Sequence, residues 1–386
     1  MLRRKDGQCA ERRTSGVNNI ESIAKKWIAG LAVYEPGRPI EEVARTLGFK
    51  DPDDIIKLAS NENALGPSPL AIKAMRDLAP RMHLYPDGDA FTLTRALANK
   101  LGILPGQLIL GSGSNELIEF VGKVFLDRGT NIIMADRAFV VYKLVADLCQ
   151  ADTIRVPMRK LTHDLNAMLA AITSKTKVVF IANPNNPTGT MVSRRDLDRF
   201  MNRVPNHVVV AIDEAYVELL PEDKQPDSLR YVREDRNVIV LRTFSKTYGL
   251  AGLRIGYAIA PTNCVKLLHR VRQPFNLNAM AQAAALAALD DDTHVARTRR
   301  MVKAGLAYYE KTFSRLGMDY VPSTVNFILV KTGRGRDVFN AMQREGVIVR
   351  PMDGYDLPEY IRITVGTRQE NEHCIRALTK VLKQQD

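Results

Sequence analysis

Arg242-Thr-Phe-Ser-Lys-Thr-Tyr-Gly-Leu-Ala-Gly-Leu-Arg-Ile-Gly256 directly follows a short apolar run, Val238 to Leu241, which predicts a buried strand. The segment places Lys246 among small hydroxyl residues and glycines, where backbone can approach a ligand closely. The amine of such a lysine can form a Schiff base with an aldehyde cofactor, while the hydroxyls and Arg254 can hold an anion. A solvated lysine on an ordinary loop is the alternative, and this segment alone does not distinguish the two.

Apolar strand patterns alternate with helical patterns along the middle of the chain. The strand patterns lie at residues 107–110, 131–135, 153–156, 177–182, 207–212, 238–241 and 255–260. Strands that are apolar throughout and alternate with helices indicate an α/β fold, in which a central, largely parallel sheet lies between helices. Ligands bind such sheets beyond the carboxyl ends of the strands, and the segment from Arg242 begins at one of these ends.

The pattern changes after about residue 276, which predicts a second, smaller domain. An alanine-rich helical region leads there into a small α+β unit, which N-terminal segments complete. The helical patterns lie at residues 278–289 and 293–316, and the strand patterns of the small unit lie at residues 326–330, 346–350 and 360–365. Residues 17–33 also show helical spacing. We therefore expect a disordered basic tail (1–16), an N-terminal arm with part of the small domain (17–80), a large domain (81–285) and a smaller C-terminal domain (286–386).

Composition and charge are those of a globular protein with a site for anions. Of the 386 residues, 45% are hydrophobic and 25% are charged. We find no apolar stretch of membrane-spanning length and no secretory signal, so we expect a cytoplasmic protein that binds no membrane. Four scattered cysteines and six histidines without ligand spacing predict neither a disulfide nor a metal site. The formal net charge is +12, and the basic residues are most concentrated in the tail, whose role stays open. Elsewhere the positive charge is diffuse, which predicts no nucleic-acid partner.

Three further polar segments follow predicted strands. Gly111-Ser-Gly-Ser-Asn-Glu116 lies between a strand and a helix, where free N–H groups and the positive end of the helix favour a phosphate. Asn183-Pro-Asn-Asn-Pro-Thr-Gly189 and Asp213-Glu-Ala-Tyr216 follow the next two buried strands. A buried Asp213 requires a cationic partner, such as a protonated pyridine nitrogen; a helix N-cap or a buried pair with an arginine is the alternative. No dinucleotide-binding glycine motif or P-loop motif stands between a strand and a helix, which excludes those two classes of enzyme.

Taken together in this order, the segments resemble the fold-type I PLP-dependent aminotransferases, and more narrowly the histidinol-phosphate aminotransferase family. The supporting segments are Tyr34-Glu-Pro-Gly-Arg-Pro-Ile-Glu-Glu-Val43, Leu58-Ala-Ser-Asn-Glu-Asn63, Leu65-Gly-Pro-Ser-Pro69, Tyr85-Pro-Asp-Gly88 and Ile361-Arg-Ile-Thr-Val-Gly366. The resemblance covers nearly the whole chain from about Tyr34 onwards. It implies a large domain with a mostly parallel seven-stranded sheet between helices, a smaller α+β domain, and pyridoxal 5′-phosphate (PLP) as the cofactor.

The resemblance also implies the catalytic and ring-binding roles. Lys246 would hold PLP covalently and carry the proton between the substrate's Cα and the C4′ carbon of the cofactor, as general base and then acid. Asp213 would keep the pyridine nitrogen protonated, and Asn186 and Tyr216 would bind the phenolic oxygen. Phe139 would cover one face of the ring.

The remaining cofactor contacts implied by the resemblance concern the phosphate. The groups that would hold it are the backbone of Ser112, Gly113 and Ser114 and the side chains of Thr243, Ser245 and Arg254. Tyr85 would reach the PLP phosphate of a neighbouring subunit, which implies a homodimer with shared active sites.

A last set of residues is expected to bind the substrate. Arg362 would bind its acidic group, and Arg350 with Tyr34 would help to bind the phosphate of histidinol phosphate. Asn63 belongs to the same set, and ordinary salt bridges are the alternative for the two arginines. The implied activity is amino transfer between histidinol phosphate and 2-oxoglutarate in histidine biosynthesis. An aromatic amino-acid aminotransferase and a threonine-phosphate decarboxylase are the alternatives.

Overall fold

Short apolar segments form three β-sheets in the part of the chain that the computed structural model describes, residues 20–31, 33 and 37–384. The predicted tail (1–16), Tyr34 and the first residues of the predicted helix 17–33 lie outside the described residues. The strands are β1 (Ile56–Lys57), β2 (Leu108–Gly111), β3 (Asn131–Ala135), β4 (Asp152–Val156), β5 (Thr176–Ala182), β6 (Val209–Asp213), β7 (Val238–Thr243), β8 (Gly256–Ile259), β9 (Tyr320–Val321), β10 (Phe327–Lys331), β11 (Val347–Ile348), β12 (Arg350–Pro351) and β13 (Tyr360–Thr364).

Helices connect most of these strands. The α-helices of the described residues are α1 (Ile20–Ile23), α2 (Lys26–Ala29), α3 (Ile40–Leu47), α4 (Pro69–Leu78), α5 (Phe91–Leu101), α6 (Gly113–Phe125), α7 (Val141–Leu148), α8 (Leu165–Ala170), α9 (Arg194–Met201), α10 (Ser228–Arg233), α11 (Thr262–His269), α12 (Ala279–Leu289), α13 (Asp292–Arg315), α14 (Gly335–Arg344) and α15 (Arg368–Lys383). Residues 20–31 and 33 belong to a unit separate from residues 37–384. Within the described residues, no helix combines the length and the apolar composition needed to cross a membrane.

The largest sheet has seven strands in the order β2-β8-β7-β6-β5-β3-β4. Strands β4, β3, β5, β6 and β7 are parallel, whereas β8 runs antiparallel to both of its neighbours, β7 and β2. Both faces of the sheet are covered: on β5, Val179 and Ile181 belong to one apolar cluster, and Val178 and Phe180 belong to another. The predicted α/β fold with a mostly parallel seven-stranded sheet is therefore confirmed.

A second, antiparallel sheet, β12-β13-β10-β9, lies in the C-terminal part and packs with α13, α14 and α15. Its apolar core includes Phe313, Ile328 and Leu378, which are all fully buried. The N-terminal strand β1 joins this region because it pairs in parallel with β11. The N–H of Thr364 then donates to the carbonyl of Leu58 at 2.8 Å. These contacts fix the start of the loop 58–68 beside the C-terminal sheet.

Two predicted elements differ from the structure. The helix expected over residues 17–33 is replaced, within the described residues, by the separate helices α1 and α2, because Lys25 takes an extended conformation (φ −60°, ψ 123°). Ile20 and Ile23 are 72% and 79% exposed, so burial of their apolar stripe does not stabilise a longer helix. The strand expected over 346–350 is two short strands that pair with different partners, β11 with β1 and β12 with β13. The boundaries of the predicted domains stay a prediction.

Candidate active site

The carboxyl ends of three neighbouring strands bring the predicted motifs together. β5, β6 and β7 are parallel, and their ends lie side by side, with Ala182 opposite Asp213. The start of β8 adds Gly256, which pairs with Thr243 on one side and with Gly111 of β2 on the other. The polar segments next to these positions therefore meet at one edge of the sheet, where a cavity of ≈ 250 Å³ opens.

Most of the residues predicted to bind the cofactor line this cavity. They are Ser114, Phe139, Asn186, Asp213, Tyr216, Thr243, Ser245, Lys246 and Arg254. Polar residues that were not predicted also line it, and these are Ser60 and Glu62 of the loop 58–68, Asn115 of α6 and Tyr142 of α7. The cavity thus combines an amine, two carboxylates, several hydroxyls and a guanidinium group.

Lys246 lies in the turn after β7, and its Nζ donates to the carbonyl of Ser60 at 3.2 Å. Burial and, to a smaller extent, the positive charge of Arg362 lower the pKa of Lys246 from its usual value to about 8. The negative charges of Glu62 and Asp213 raise the pKa of Lys246, and the effect of Glu62 is the larger. A buried amine with a pKa near neutrality can be a nucleophile or a general base.

Asp213 ends β6 and is held by two donors. Its Oδ1 accepts a hydrogen bond from the N–H of Ala215 at 3.1 Å, and its Oδ2 accepts one from the hydroxyl of Tyr142 at 2.6 Å. Burial raises the pKa of Asp213, whereas the two hydrogen bonds lower it. The carboxylate therefore lies where a buried cationic ligand would be strongly favoured.

Tyr216 follows Asp213 at the same strand end, and its hydroxyl accepts a hydrogen bond from Nδ2 of Asn61 at 3.0 Å. Burial raises the pKa of Tyr216 from its usual value to about 12, so the hydroxyl stays protonated and can donate into the cavity. Asn61 was not predicted as a site residue. It takes a positive φ of 54° within the loop 58–68 and is 2% exposed.

Arg362 of β13 reaches the same region from the C-terminal sheet. Its Nη1 donates to Oδ1 of Asn186 at 2.6 Å, and its Nη2 donates to the carbonyl of Ala59 at 2.7 Å. The guanidinium carbon lies 5.1 Å from the centroid of the Phe327 ring. These contacts fix Arg362 beside Asn186, which lines the cavity. Arg362 itself is buried, at 6% exposed.

An anion-binding surface forms where α6 begins. Gly113, the first residue of α6, has φ +78°, and a Cβ there would lie 2.3 Å from Nη2 of Arg254. Only glycine lets the guanidinium group come this close to the N-terminus of the helix, whose first N–H groups have no partners within the helix. Thr243 and Ser245 add hydroxyls, and Thr243 Oγ1 accepts a hydrogen bond from the N–H of Ser245 at 3.1 Å.

The backbone N–H of Ser112, just before α6, has a partner within the chain. It donates to Oε2 of Glu116 at 2.6 Å, and the same oxygen accepts a hydrogen bond from Nδ2 of Asn276 at 2.6 Å. The Ser112 N–H therefore has a partner within the chain, and the predicted use of the Ser112 backbone for a phosphate stays a prediction. Gly113 and Ser114 keep the position that the motif predicts.

The predicted residues that do not line the cavity include, besides Ser112, Gly113 and Arg362, also Asn63, Arg350 and Tyr85. Tyr34 lies outside the described residues. Asn63 is part of the loop 58–68, and its Nδ2 donates to Thr247 O and Thr298 Oγ1, both at 3.0 Å, which fastens the loop. Arg350 lines a second cavity of ≈ 270 Å³ and pairs with Arg362 across β12 and β13. Tyr85 is 84% exposed and lines a third cavity.

The chain matches the family described as aminotransferase class I and II over residues 53–378. It is 51% identical over 365 residues to a histidinol-phosphate aminotransferase of Akkermansia muciniphila, and the match covers 94% of this chain and 100% of the relative. A histidinol-phosphate aminotransferase of Moorella thermoacetica is 47% identical over 357 residues, with 92% of each chain covered.

A solved structure has the same fold. The histidinol-phosphate aminotransferase of Sinorhizobium meliloti, in complex with pyridoxal-5′-phosphate, matches this chain with a TM-score of 0.86 at 26% identity. The match covers 95% of this chain and 99% of that protein.

Proposed function

Because the chain belongs to the class I and II aminotransferase family, and within it to the histidinol-phosphate aminotransferases, we propose that it transfers an amino group between histidinol phosphate and 2-oxoglutarate. The products are imidazole-acetol phosphate and glutamate, and the pathway is histidine biosynthesis. The observation that carries the proposal is the buried amine of Lys246, which shares one cavity with Asp213 and Arg254.

The cofactor is PLP, and the residues of the cavity fit it. PLP has an aldehyde, a pyridine nitrogen, a phenolic oxygen and a phosphate. The space that Gly113 leaves beside Arg254 suits the phosphate. When bound, PLP supplies an electron sink that stabilises negative charge on the substrate's Cα. We assign the aldehyde to Lys246, the nitrogen to Asp213, the phenolic oxygen to Asn186 and Tyr216, the ring face to Phe139, and the phosphate to Arg254, Thr243, Ser245 and the backbone of Gly113 and Ser114.

Lys246 is the group that holds and moves the proton. Because its pKa is lowered to about 8, a useful fraction of the amine is neutral near pH 7 and can take the proton from the substrate's Cα. Nζ would then act as the general acid that delivers this proton to the C4′ carbon of the cofactor. The carbonyl of Ser60 accepts a hydrogen bond from Nζ and keeps the amine at the wall of the cavity.

Arg362 is the residue that we assign to the acidic group of the substrate. Its hydrogen bonds to Asn186 and Ala59 hold the guanidinium plane, and a fixed planar donor suits a phosphate or a carboxylate. Arg350 lies opposite Arg362 on the neighbouring strand and would supply a second positive charge. The role predicted for Tyr34 stays a prediction. We do not include Asn63, because its amide group is used to fasten the loop.

A homodimer is part of the proposal. Tyr85 is 84% exposed and stacks on Phe275, which is 48% exposed, with 4.9 Å between the ring centroids. Exposed aromatic side chains of this kind are typical of a surface that another protein chain covers. Tyr85 would then contact the phosphate of the PLP that is bound to a second copy of the chain.

We also place the enzyme in the cytoplasm. Cys149, Cys264 and Cys374 are free thiols, as expected in a reducing compartment.

A half-reaction on the purified protein loaded with PLP tests the proposal. Histidinol phosphate, phenylalanine and threonine phosphate are added separately, and conversion of PLP to pyridoxamine phosphate is followed by absorbance. We expect fast conversion with histidinol phosphate, and regeneration of PLP by 2-oxoglutarate. Conversion mainly with phenylalanine would move the function to aromatic amino acids. Release of carbon dioxide from threonine phosphate would replace the aminotransferase proposal by a decarboxylase.

A further inference from the structure

Tyr142 is a residue of α7 that the sequence patterns did not select, and its hydroxyl donates a hydrogen bond of 2.6 Å to Oδ2 of Asp213. Both residues line the cavity that contains Lys246. The N–H of Ala215 donates to the other oxygen, Oδ1, at 3.1 Å. Each carboxylate oxygen therefore has one neutral donor and keeps a further lone pair for a ligand in the cavity.

The packing of the Tyr142 ring restricts its hydroxyl to one position. Tyr142 is 0% exposed. Its ring stacks on Phe180 of β5, with 4.5 Å between the centroids and 6° between the planes. Phe139 packs edge-on against it at 5.7 Å and 85°. Rotation of the ring about its own axis does not move the hydroxyl, and the two neighbours oppose a tilt, so the donor stays on Asp213.

Asp213 needs this donor because burial opposes its negative charge. Burial raises the pKa of Asp213, and the hydrogen bond from Tyr142 is the largest influence that lowers it again, ahead of the N–H of Ala215. Of the charged neighbours, Glu214 raises the pKa of Asp213 and Lys246 lowers it. Burial and the adjacent Asp213 raise the pKa of Tyr142 well above its usual value, so its hydroxyl stays protonated and remains a donor.

We propose that Tyr142 is a positioning residue that holds Asp213 ionised and turned toward the pyridine nitrogen of PLP. Through Asp213, it sets how strongly the cofactor withdraws electrons from the substrate. The inference rests on the PLP assignment of the proposed function, but it does not depend on histidinol phosphate as the substrate.

The test compares Tyr142→Phe with a matched control, Tyr231→Phe. Tyr231 is also buried, at 2% exposed, and its hydroxyl also donates to an aspartate, Asp198, which does not line the cavity. Each variant therefore loses one hydroxyl and one hydrogen bond to a carboxylate. The measurements are the PLP dissociation constant of the apoprotein, the pH titration of the visible absorbance of the PLP-loaded protein, kcat and KM, and thermal unfolding.

We expect Tyr142→Phe to bind PLP about tenfold more weakly or worse, which is the effect of losing one hydrogen bond to a charged group. The pH midpoint of the visible absorbance should rise, because a less firmly protonated pyridine ring withdraws less charge from the linkage at Lys246. The kcat should fall while KM for the amino donor changes little. Tyr231→Phe should change none of these values, although both variants lose some thermal stability.

Wild-type PLP affinity and an unshifted midpoint in Tyr142→Phe would overturn the inference, and so would equal changes in Tyr231→Phe. If Tyr142→Phe does not fold, Phe180→Leu replaces it, because this change loosens the ring and keeps the hydroxyl. It should shift both values in the same direction by a smaller amount, and no shift would count against the proposal. A wild-type protein that binds PLP but does not convert histidinol phosphate would end the substrate proposal alone.

Discussion

Replacing Gly113 by alanine should weaken PLP binding far more than it weakens the fold. A Cβ on Gly113 would lie 2.3 Å from Nη2 of Arg254, which is closer than real Cβ contacts, and 3.0 Å from Cζ, which is a tight contact. The guanidinium group ends a flexible side chain, so it is the part that can move. The added methyl group therefore displaces Arg254 from the N-terminus of α6, where we place the phosphate.

Two separate effects determine the magnitude. A Cβ at the positive φ of Gly113, +78°, adds backbone strain of about 1–2 kcal/mol, which lowers the stability of the protein. Displacement of Arg254 removes a charge-assisted hydrogen bond worth about 1.5–3 kcal/mol. This second loss corresponds to a PLP dissociation constant raised roughly ten- to hundredfold.

Gly129→Ala is the matched control. Gly129 has φ +84°, and a Cβ there would meet nothing within 4 Å among the described residues, so its replacement adds the backbone strain alone. Titration of the apoproteins with PLP gives the dissociation constants, and urea unfolding gives the stabilities. We expect both variants to lose similar stability and only Gly113→Ala to lose PLP affinity. If Gly113→Ala binds PLP as tightly as the wild type, Arg254 does not hold the phosphate.

Further predictions concern the charges around the site. Lys246→Ala should leave no PLP adduct that borohydride can reduce, and an adduct on another lysine, located by peptide mass spectrometry, would contradict the assignment. In the apoprotein, the rate of PLP addition to Lys246 should rise with pH through about 8, because only the neutral amine reacts. Glu62→Gln should lower the pH of this midpoint and Arg362→Gln should raise it, because Glu62 raises and Arg362 lowers the pKa of Lys246. Midpoint shifts of the same sign in both variants would refute these two charge effects. Burial raises the pKa of Glu218 from 4.5 to about 7, so the folded state keeps a proton that the unfolded state has released, and stability falls as pH rises through this window. Glu218→Gln should flatten that fall in urea unfolding, by at most about 3 kcal/mol, whereas an unchanged slope would show that another group causes it.

The sheet and the motifs at its edge could be predicted because they depend on local patterns. A strand buried on both faces contains a continuous apolar run, such as Val178 to Ala182 in β5 and Val209 to Ile212 in β6. The polar residues that follow such a run lie at the edge of the sheet. Asn186, Asp213 and Lys246 each follow such a strand. Their approach to one cavity therefore follows from the parallel order of three strands.

The choice between two asparagines of one loop could not be predicted. Asn61 donates to the hydroxyl of Tyr216, whereas Asn63 fastens the loop through Thr247 and Thr298. The chain turns at Asn61, which takes a positive φ of 54°, and this turn decides which side chain reaches the site. Asparagine tolerates this conformation at either position, so the sequence does not indicate where the turn lies.

Tyr142 escaped sequence reasoning for another reason, and the predicted role of Tyr85 cannot be tested within one chain. Tyr142 is fully buried within a helix, and no motif in the sequence distinguishes it from other buried residues. Only the packing of its ring on Phe180 directs the hydroxyl to Asp213. Tyr85 is exposed in the single chain, so its predicted role needs a second copy, which no pattern within one chain can position.

A buried ion pair next to the site connects the ends of the two central strands. Glu214 follows Asp213, Arg242 precedes Thr243, and Nη2 and Nε of Arg242 both donate to Oε2 of Glu214, at 2.7 and 2.9 Å. A pair this deeply buried adds little net stability, since desolvation offsets the attraction between the charges. We infer that its effect is geometric, because it ties β6 to β7 at the level where Asp213 and Thr243 face the cavity. The ion pair then fixes where the Asp213 carboxylate stands, and Tyr142 fixes its charge and direction.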